Sequence, residues 1–539
     1  MRPYYIFITG GVLSGLGKGI TTASIGKILQ FRGFKVTAVK IDGYLNFDAG
    51  TLRPTEHGEV WVTEDGGEID EDLGHYERFL DVNISKEHNI TSGQIFWNVI
   101  NKEREGKYLG KTIQLIPHVT DEIKIRIRDI AKKSDADFIL VEIGGTVGDY
   151  ENQLFIEAAR QMRMDGDNCL YIHVSYVPVP KYLGEQKTKP TQHSAQKLRE
   201  LGIIPDFLIC RSEAPIDDVR KEKIALFCNV KKEDVISDPD IRNVYELPLI
   251  FDDQNLGRRI LEKLNLQPKD IDSKEWKTAI EKIKNIHEKV KIGIVGKYFD
   301  VGEFTLQDSY ISVIEAIKHA SWLNEREPEI EWIDSKIFEN DKNKLSILSS
   351  MDGIVIPGGF GKSGVEGKIA AIEYARKNNI PFLGLCLGLQ LAVVEFARNV
   401  CSLKGANSTE FDAETSYPVI DIMPEQKKLI ENSKYGATMR LGSYPAILKE
   451  GSVIWKVYGE QKEITERHRH RFEVNPEFHQ ILQKKGLVFS GISPDGKLIE
   501  FIELADHPYF VATQAHPEFK SRPLKPAPLF DGFIKACIR

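Results

Sequence analysis

The stretch YYIFITGGVLSGLGKGITTASIGKILQFRGFKVTAVKI, residues 4–41, decides the fold. An apolar run, YYIFIT, feeds a glycine-rich turn; the turn opens an amphipathic stretch, ITTASIGKILQFRG; a second apolar run, FKVTAVKI, follows. This succession predicts a strand, a crossover helix and a parallel strand. The turn itself, ITGGVLSGLGKG at 8–19, has the glycines and the lysine of a phosphate cradle, in which backbone N–H groups and the helix end hold anionic oxygens. It departs from the common P-loop at two places. Val12 stands where a glycine is usual, and Gly19 where a Ser or Thr would hold Mg2+. The missing hydroxyl would come from Thr21, Thr22 or water. A plain glycine-rich turn is the competing reading, and the rest of the chain decides between the two.

Outward from this stretch the alternation continues through FILVEIGG (138–145), NCLYIHVSYV (168–177) and DFLICRS (206–212), predicting a parallel sheet covered on both faces by helices. It weakens near residue 266. There NLQPKDIDSKEWKTAIEKIKNIHEKV is charged and apolar mainly at helical spacing, as in a linker with a helix. A second alternation starts with KIGIVGKY at 291 and runs through GIVIPGGFG and PFLGLCLG to FVATQAHPE, with SPDGKL at 493–498 as a hairpin turn between FSGI and IEFIEL. The reading is two different α/β domains, 1–266 and 291–539, joined by a linker at 267–290. At 539 residues the chain exceeds what one core supports, which agrees with two domains of about 250 residues.

Composition excludes several classes. With 41% hydrophobic and 28% charged residues the chain is neither disordered nor fibrous. A formal charge of -7 gives no global reason for nucleic-acid binding and leaves anionic ligands to local basic clusters. No apolar run reaches the roughly 18 residues of a membrane span, and MRPYYIFITGG enters a strand without the parts of a secretory signal. The cysteines at 169, 210, 228, 386, 401 and 537 form no CxxC pair and no compact framework, so a reducing cytoplasm is expected.

One of these cysteines stands apart. Gly384-Leu385-Cys386-Leu387-Gly388 lies between the apolar run IPFLG and the helical stretch LQLAVVEFARN, so Cys386 is expected on a sharp strand-to-helix elbow, where the helix dipole favours its thiolate. His516-Pro517-Glu518 follows another strand and offers a base with a carboxylate to orient it. Gly358-Gly359-Phe360-Gly361 ends a third, and its backbone N–H groups with that of Leu387 would hold an oxyanion. Each alone has a bland reading: a buried thiol, a surface turn, a loop. Together IPGGFG, GLCLGLQ and QAHPEF resemble the class I glutamine amidotransferase domain. The resemblance implies that Cys386 attacks the glutamine amide, His516 passes a proton to the leaving ammonia and Glu518 orients His516.

An ammonia donor needs an acceptor. Magnesium with a triphosphate needs carboxylates, and Glu142 ends the apolar strand FILVEIGG, while DGGEIDEDLGHYERF (65–79) offers Asp70, Asp72 and Glu77. KYLGEQKTKPTQHS (181–194) is a small basic loop before a helix, suited to a second set of phosphates. Taken with GGVLSGLGKG, YLNFDAGT, HGEV, DLGHYERF, EIGGTVGD, ANSTEF and RHRHRFEVN, KTKPTQHS is similar to the CTP synthase family along nearly the whole chain.

That resemblance implies an N-terminal P-loop domain of the dethiobiotin-synthetase type. Ser14, Gly15, Leu16, Gly17, Lys18, Gly19 and Ile20 would cradle ATP, with Lys40 near the transferring phosphate and Asp72 and Glu142 on Mg2+. Ser14, Lys187, Thr188, Lys189, Gln192 and Lys223 would bind UTP, and Asp149, Tyr150 and Glu151 the feedback inhibitor CTP. Gly359, Leu387, Gln390, Glu410 and Arg471 would grip glutamine. Arg440, in TMRLG, would belong to a lid that responds to GTP, and His57, in HGEV, would gate an ammonia tunnel. A cytoplasmic homotetramer, with filaments in some conditions, completes the implied picture. Against the family's wording, Gly15 replaces a second Ser, Gly43 and Ala49 replace prolines, and Arg53, Pro54, Thr55 and Glu56 replace an SPFQ-like run. The competing readings are a related ATP-dependent amidoligase with another acid substrate, against which KTKPTQHS argues, and a filament-forming scaffold, which predicts degraded site residues.

Overall fold

A computed structural model describes residues 2–52, 58–296, 300–301, 304–305, 307–359, 361–422 and 439–538. His57, Phe360 and the four positions 53–56 lie outside the described residues. The chain divides into two units, one made of Met1–Thr51 with Ile69–Ile280 and the other of Leu52–Glu68 with Glu281–Arg539.

The first unit is built on β1 (Tyr4–Gly10), β2 (Val36–Asp42), β3 (Asn89–Thr91), β4 (Phe138–Ile143), β5 (Asn168–Tyr176), β6 (Phe207–Ser212) and β7 (Val235–Pro239), in the order β3-β2-β4-β1-β5-β6-β7. All these pairings are parallel. Strands covered on both faces read as continuous apolar runs, and β2 and β4 are buried at every residue. Helix α1 (Lys18–Gln30) follows the glycine loop directly, and α2 (Asp72–Leu80) packs against it. In a parallel α/β sheet ligands sit beyond the carboxyl ends of the strands, where the loops after β1, β4 and β5 lie.

The second unit carries β8 (Lys289–Gly296), β9 (Glu327–Asp334), β10 (Gly353–Ile356), β11 (Phe382–Leu385), β12 (Arg440–Leu448), β13 (Glu463–His470), β14 (Val488–Ile492), β15 (Ile499–Glu503) and β16 (Phe510–Thr513). Their order is β9-β8-β10-β11-β16-β15-β14-β12-β13. The first five are parallel and the remaining four add antiparallel. The expected hairpin at 493–498 joins β14 to β15, closed by Ser493 N donating to Leu498 O at 3.0 Å. Apolar clusters line both faces of this sheet.

Two boundaries differ from the sequence reading. Helix α3 (Lys274–Lys284), expected in a linker, is anchored on the first unit by Trp276, which is 3% exposed and donates to Tyr245 O at 2.9 Å. Leu52–Glu68, expected in the first domain, belongs to the second. There Trp61, fully buried, lies 4.8 Å from the Phe519 ring, and Arg467 donates to Val62 O at 3.0 Å and to Glu64 Oε1 at 2.9 Å. The buried Trp61 and the ion pairs of Glu64 with Arg467 and Glu68 with Arg469 outweigh chain continuity.

Candidate functional site

In the first unit the glycine loop leads into α1, whose first residue is Lys18. Lys18 Nζ donates to Gly145 O at 3.0 Å across the loop after β4, and Val147 N donates to Gly10 O at 2.8 Å. Val12, in the usual glycine position, adopts φ 79°, so a β-branched residue carries a left-handed backbone there. Gly19 has a structural reason. A Cβ on it would lie 2.1 Å from Asp72 Oδ1, so the absent side chain is what lets a carboxylate approach the loop. Thr21 and Thr22 are fully buried in α1, their hydroxyls without a hydrogen-bond partner among the described residues. Ser14 and Gly15 are exposed, Leu16 is buried and Ile20 half-buried.

Lys40, 5% exposed at the end of β2, collects the acids. It pairs with Asp72, with Glu142 Oε1 at 3.1 Å and with Asp70 at 3.7 Å. Glu142 is fully buried, and Tyr76 donates to its second oxygen at 2.5 Å. Burial would lower the Lys40 pKa, but Asp72, Glu142 and Asp70 outweigh it and hold the ammonium well above its ordinary value. Burial pushes Asp70 up to about 7; it pushes Asp72 the same way, yet Lys40 and His75 bring that carboxyl down to about 2. Lys18, burial dominating, is lowered. Among the described residues no group of three or more His, Cys, Asp and Glu is arranged as a metal cage. The two hard carboxylates Asp72 and Glu142, one from a helix start and one from a strand, fit the donor chemistry of Mg2+, which usually keeps several waters and takes one or two carboxylates.

Most residues expected on UTP and CTP lie in the segments that follow β1, β4 and β5, while Lys223 lies within the helix Asp218–Cys228. Thr188 and Gln192 are buried and bonded, Gln192 Nε2 to Thr188 Oγ1 at 3.0 Å, at the start of helix α4 (Lys189–Glu200). Lys187 pairs with Glu185, Lys189 Nζ lies 5.3 Å from the Phe227 ring centroid, and Lys223 is exposed. Asp149 Oδ2 accepts from Thr146 N at 2.7 Å and its hydroxyl at 2.8 Å, while Tyr150 and Glu151 are exposed. Gly43 has its own packing reason: a Cβ there would lie 2.7 Å from Glu151 Cβ.

In the second unit Cys386 sits between β11 and helix α5 (Leu387–Asn399) at φ 49°, ψ −98°, a strained elbow of the kind that costs about 1–3 kcal/mol. Glycines on either side permit it. A Cβ on Gly388 would lie 2.3 Å from Ile356 O, and one on Gly384 would lie 2.9 Å from both Ala512 Cβ and the Gly388 carbonyl carbon. His516 Nδ1 bonds Glu518 Oε1 at 2.7 Å, and its ring is in hydrogen-bond reach of the Cys386 thiol. Burial would lower the His516 pKa, but Glu518 and Cys386 raise it to about 10. Gly358 faces the same place: a Cβ on it would lie 2.9 Å from His516 Cε1. Gly361 N donates to Glu410 Oε1 at 2.9 Å, so Glu410 borders the glycine turn.

Three further residues of the implied roles are placed as follows. The Gln390 amide nitrogen donates to Phe472 O at 3.0 Å and Gln514 Oε1 at 3.4 Å, so it is engaged within the fold. Arg440 is turned inward, 7% exposed, onto Glu500 at 2.7 Å and Glu473 at 3.4 Å. Arg471 is half-buried at the turn after β13. The sequence reading missed the scaffold of the thiol site. Arg467 O accepts from His516 N at 2.8 Å and Arg469 O lies 3.9 Å from Cys386 Sγ, while their side chains are held by Glu64 and Glu68, the latter at 2.7 Å. Only the unusual RHRHRFEVN run hinted at it.

Two families match the chain in succession, the first of them running through Leu52–Glu68. The family described as CTP synthase N-terminus matches residues 4–266, and glutamine amidotransferase class-I matches residues 305–536. The CTP synthase of Methanocaldococcus jannaschii is 56% identical over 541 residues, covering 99% of this chain and 98% of that protein. That of Pyrococcus furiosus is 54% identical over 535 residues, covering 99% and 97%. A solved glutaminase domain of Trypanosoma brucei CTPS with bound acivicin is 37% identical, with a TM-score of 0.43, over 46% of this chain and 94% of that one.

Proposed function

The chain belongs to the CTP synthase family, and from that premise we propose how its two units divide the glutamine-dependent conversion of UTP to CTP. The observation that carries the division is that each unit, taken by itself, gathers one set of reactive groups: Cys386, His516 and Glu518 in one, Lys18, Lys40, Asp72 and Glu142 in the other.

In the second unit the Cys386 thiolate attacks the glutamine carboxamide carbon. Backbone N–H groups of Gly359 and Leu387 hold the oxyanion, and Glu410 and Arg471 suit the charged ends of the amino acid, beside Gln390. His516 gives its proton to the leaving nitrogen, a glutamyl thioester remains, and water deprotonated by the same imidazole releases glutamate. Glu518 keeps the Nδ1–H in place throughout.

In the first unit the 14–20 loop takes ATP, with Lys18 on its phosphates and Lys40 beside the transferring one. Phosphorylation of O4 of UTP turns a poor leaving oxygen into phosphate, and ammonia displaces it at C4. Asp72 and Glu142 would hold Mg2+, which neutralises charge on the phosphoryl oxygens when bound. Ser14, Lys187, Thr188, Lys189, Gln192 and Lys223 bind the UTP triphosphate, and Asp149, Tyr150 and Glu151 contact CTP as inhibitor. Ammonia travels inside the protein, since in water it would become ammonium, and His57 gates its exit. GTP activates, with Arg440 anchoring the base of the responding segment through Glu473 and Glu500 rather than touching the nucleotide. The working form is a cytoplasmic homotetramer, able to form filaments. No helix among the described residues is long and apolar enough to cross a membrane.

The test is CTP formation by the purified full chain from UTP, ATP, Mg2+ and glutamine, repeated with ammonium chloride in place of glutamine. CTP from both nitrogen sources is expected. Amidation of an acid substrate with no CTP would favour the amidoligase reading instead.

A further inference from the structure

We propose that Gln514 is a further catalytic residue of glutamine hydrolysis, its side-chain amide donating to the Cys386 sulfur and stabilising the charged form of that atom. This rests on Cys386 being the nucleophile. The polar surroundings of the sulfur make the case. Besides His516, Cys386 Sγ meets two polar groups among the described residues, the Arg469 carbonyl oxygen at 3.9 Å and Gln514 Nε2 at 3.7 Å. A carbonyl oxygen only accepts, so it suits the neutral thiol, whose S–H points at it, and repels a thiolate. A thiolate needs donors. His516 is one, but it gives up its proton during the reaction; an amide N–H does not.

The orientation of the Gln514 amide follows from the network behind it. Phe472 O can only accept, so the Gln390 atom 3.0 Å away is its nitrogen. The Gln514 atom 3.4 Å from that same nitrogen is therefore the oxygen, which leaves the Gln514 nitrogen facing sulfur. Phe472 O is held from its other side by His470 Nδ1 at 3.2 Å, whose Nε2 meets His468 Nδ1 at 2.9 Å. Gln514 is fully buried, Gln390 is 3% exposed, and the Gln514 backbone N–H is fixed on Glu500 O at 2.9 Å. A donor locked in a dry site stabilises charge more than one in water and needs no reorganisation when the charge develops. The hydrogen bond forms to the free thiolate, weakens as sulfur acylates, and returns as the thiolate leaves the thioester. Gln514 transfers no proton, and His516 alone carries the one that reaches ammonia.

The experiment uses the full chain and two near-isosteric variants, Gln514→Glu and Gln514→Met. Glutamate release, ammonia-fed CTP synthesis and the pH dependence of Cys386 alkylation by iodoacetamide are measured, with the alkylated peptide identified by mass. The remaining thiols, buried except for the half-buried Cys537, compete little, since burial pushes the thiols of Cys169 and Cys228 up to about 12 and about 11 and raises those of Cys210, Cys401 and Cys537. In both variants the midpoint of alkylation moves to higher pH while the plateau rate stays at the parent's, and kcat/KM for glutamine falls about tenfold or more at neutral pH, the loss of one hydrogen bond to a charged group. Ammonia-fed synthesis is unchanged. The carboxylate of the Glu variant, repelling the thiolate, moves the midpoint further than Met does. An unmoved midpoint in a folded variant overturns the proposal even if activity falls, because a merely structural role lowers the plateau instead. Should one variant not fold, the other decides. Cys386→Ala separates this from the premise: glutamate release surviving that change removes the nucleophile itself, whereas its loss with parent-like Gln514 variants removes only the role of Gln514.

Discussion

Replacing Glu518 by glutamine removes a charge from the thiol site with little change of shape. Glu518 is 2% exposed, and its Oε1 accepts from His516 Nδ1 at 2.7 Å. Its other oxygen is buried with no hydrogen-bond partner among the described residues, so the new amide keeps its oxygen on the imidazole and places its nitrogen on that empty side. Burial alone would push His516 below its ordinary 6.5, and Glu518 first, then the Cys386 sulfur, lift it to about 10. That lift corresponds to roughly 5 kcal/mol, and a charge pair at this distance with an effective dielectric near 20 is worth about 6 kcal/mol, so Glu518 carries most of it. Without the carboxylate, burial returns the imidazole to its neutral form at pH 7 and the thiolate loses its cation. Loss of a charge-assisted hydrogen bond, about 1.5–3 kcal/mol, predicts glutamate release slower by about 10-fold to 150-fold. The stability effect has a definite sign. A raised folded-state value contributes stability that is full below pH 6.5 and is lost as pH climbs toward 10, so the parent weakens across that window and the variant does not. Glutamate release from pH 6 to 10 reads the first effect, with ammonia-fed synthesis as internal control, and denaturation midpoints over the same range read the second. Parent-like rates and an unchanged pH profile in the Glu518→Gln enzyme would refute the reasoning.

Cys386→Ala is expected to abolish glutamine-dependent CTP formation and spare the ammonia-fed reaction; loss of both, or of neither, would contradict the division between units. Lys18→Ala should stop synthesis from either nitrogen source, and retained synthesis would mean that the 8–19 loop is not the ATP site. Lys40→Met leaves the fully buried Glu142 facing Asp70 and Asp72 without their cation, a loss of about 3–5 kcal/mol that lowers the melting transition by roughly 6–20 °C. Added Mg2+ should recover part of that loss, and an unchanged transition would show that the acids do not depend on Lys40. Gly19→Ser, which restores the common P-loop residue, puts a Cβ 2.1 Å from Asp72 Oδ1 and is expected to cut ammonia-fed synthesis by about tenfold while glutamate release continues. Parent-like synthesis would mean that the approach of Asp72 to the loop is incidental.

Much of this was local and therefore legible. The alternation of apolar runs with helical stretches placed β1, β2, β4, β5 and β6, and the glycines around Cys386 announced an elbow because only small residues admit the approaches at Gly384 and Gly388. The same local logic read SPDGKL as the hairpin between β14 and β15. What was illegible shares one property: it depends on residues far apart in sequence. Lys40 and Glu142 are 102 positions apart, and Arg467 and Glu64 are 403 apart.

The sequence by itself determined the two α/β units and the reactive groups at their strand ends, because periodicity of 2 and 3.6 and the chemistry of glycine, cysteine and histidine act within a few residues. Tertiary structure alone decided that Leu52–Glu68 folds with the glutaminase unit, that α3 packs on the first unit, and that Arg440 and Gln390 turn inward. Those outcomes come from competing burials and ion pairs between distant segments, and a charged stretch reads the same whether water or a buried partner finally neutralises it.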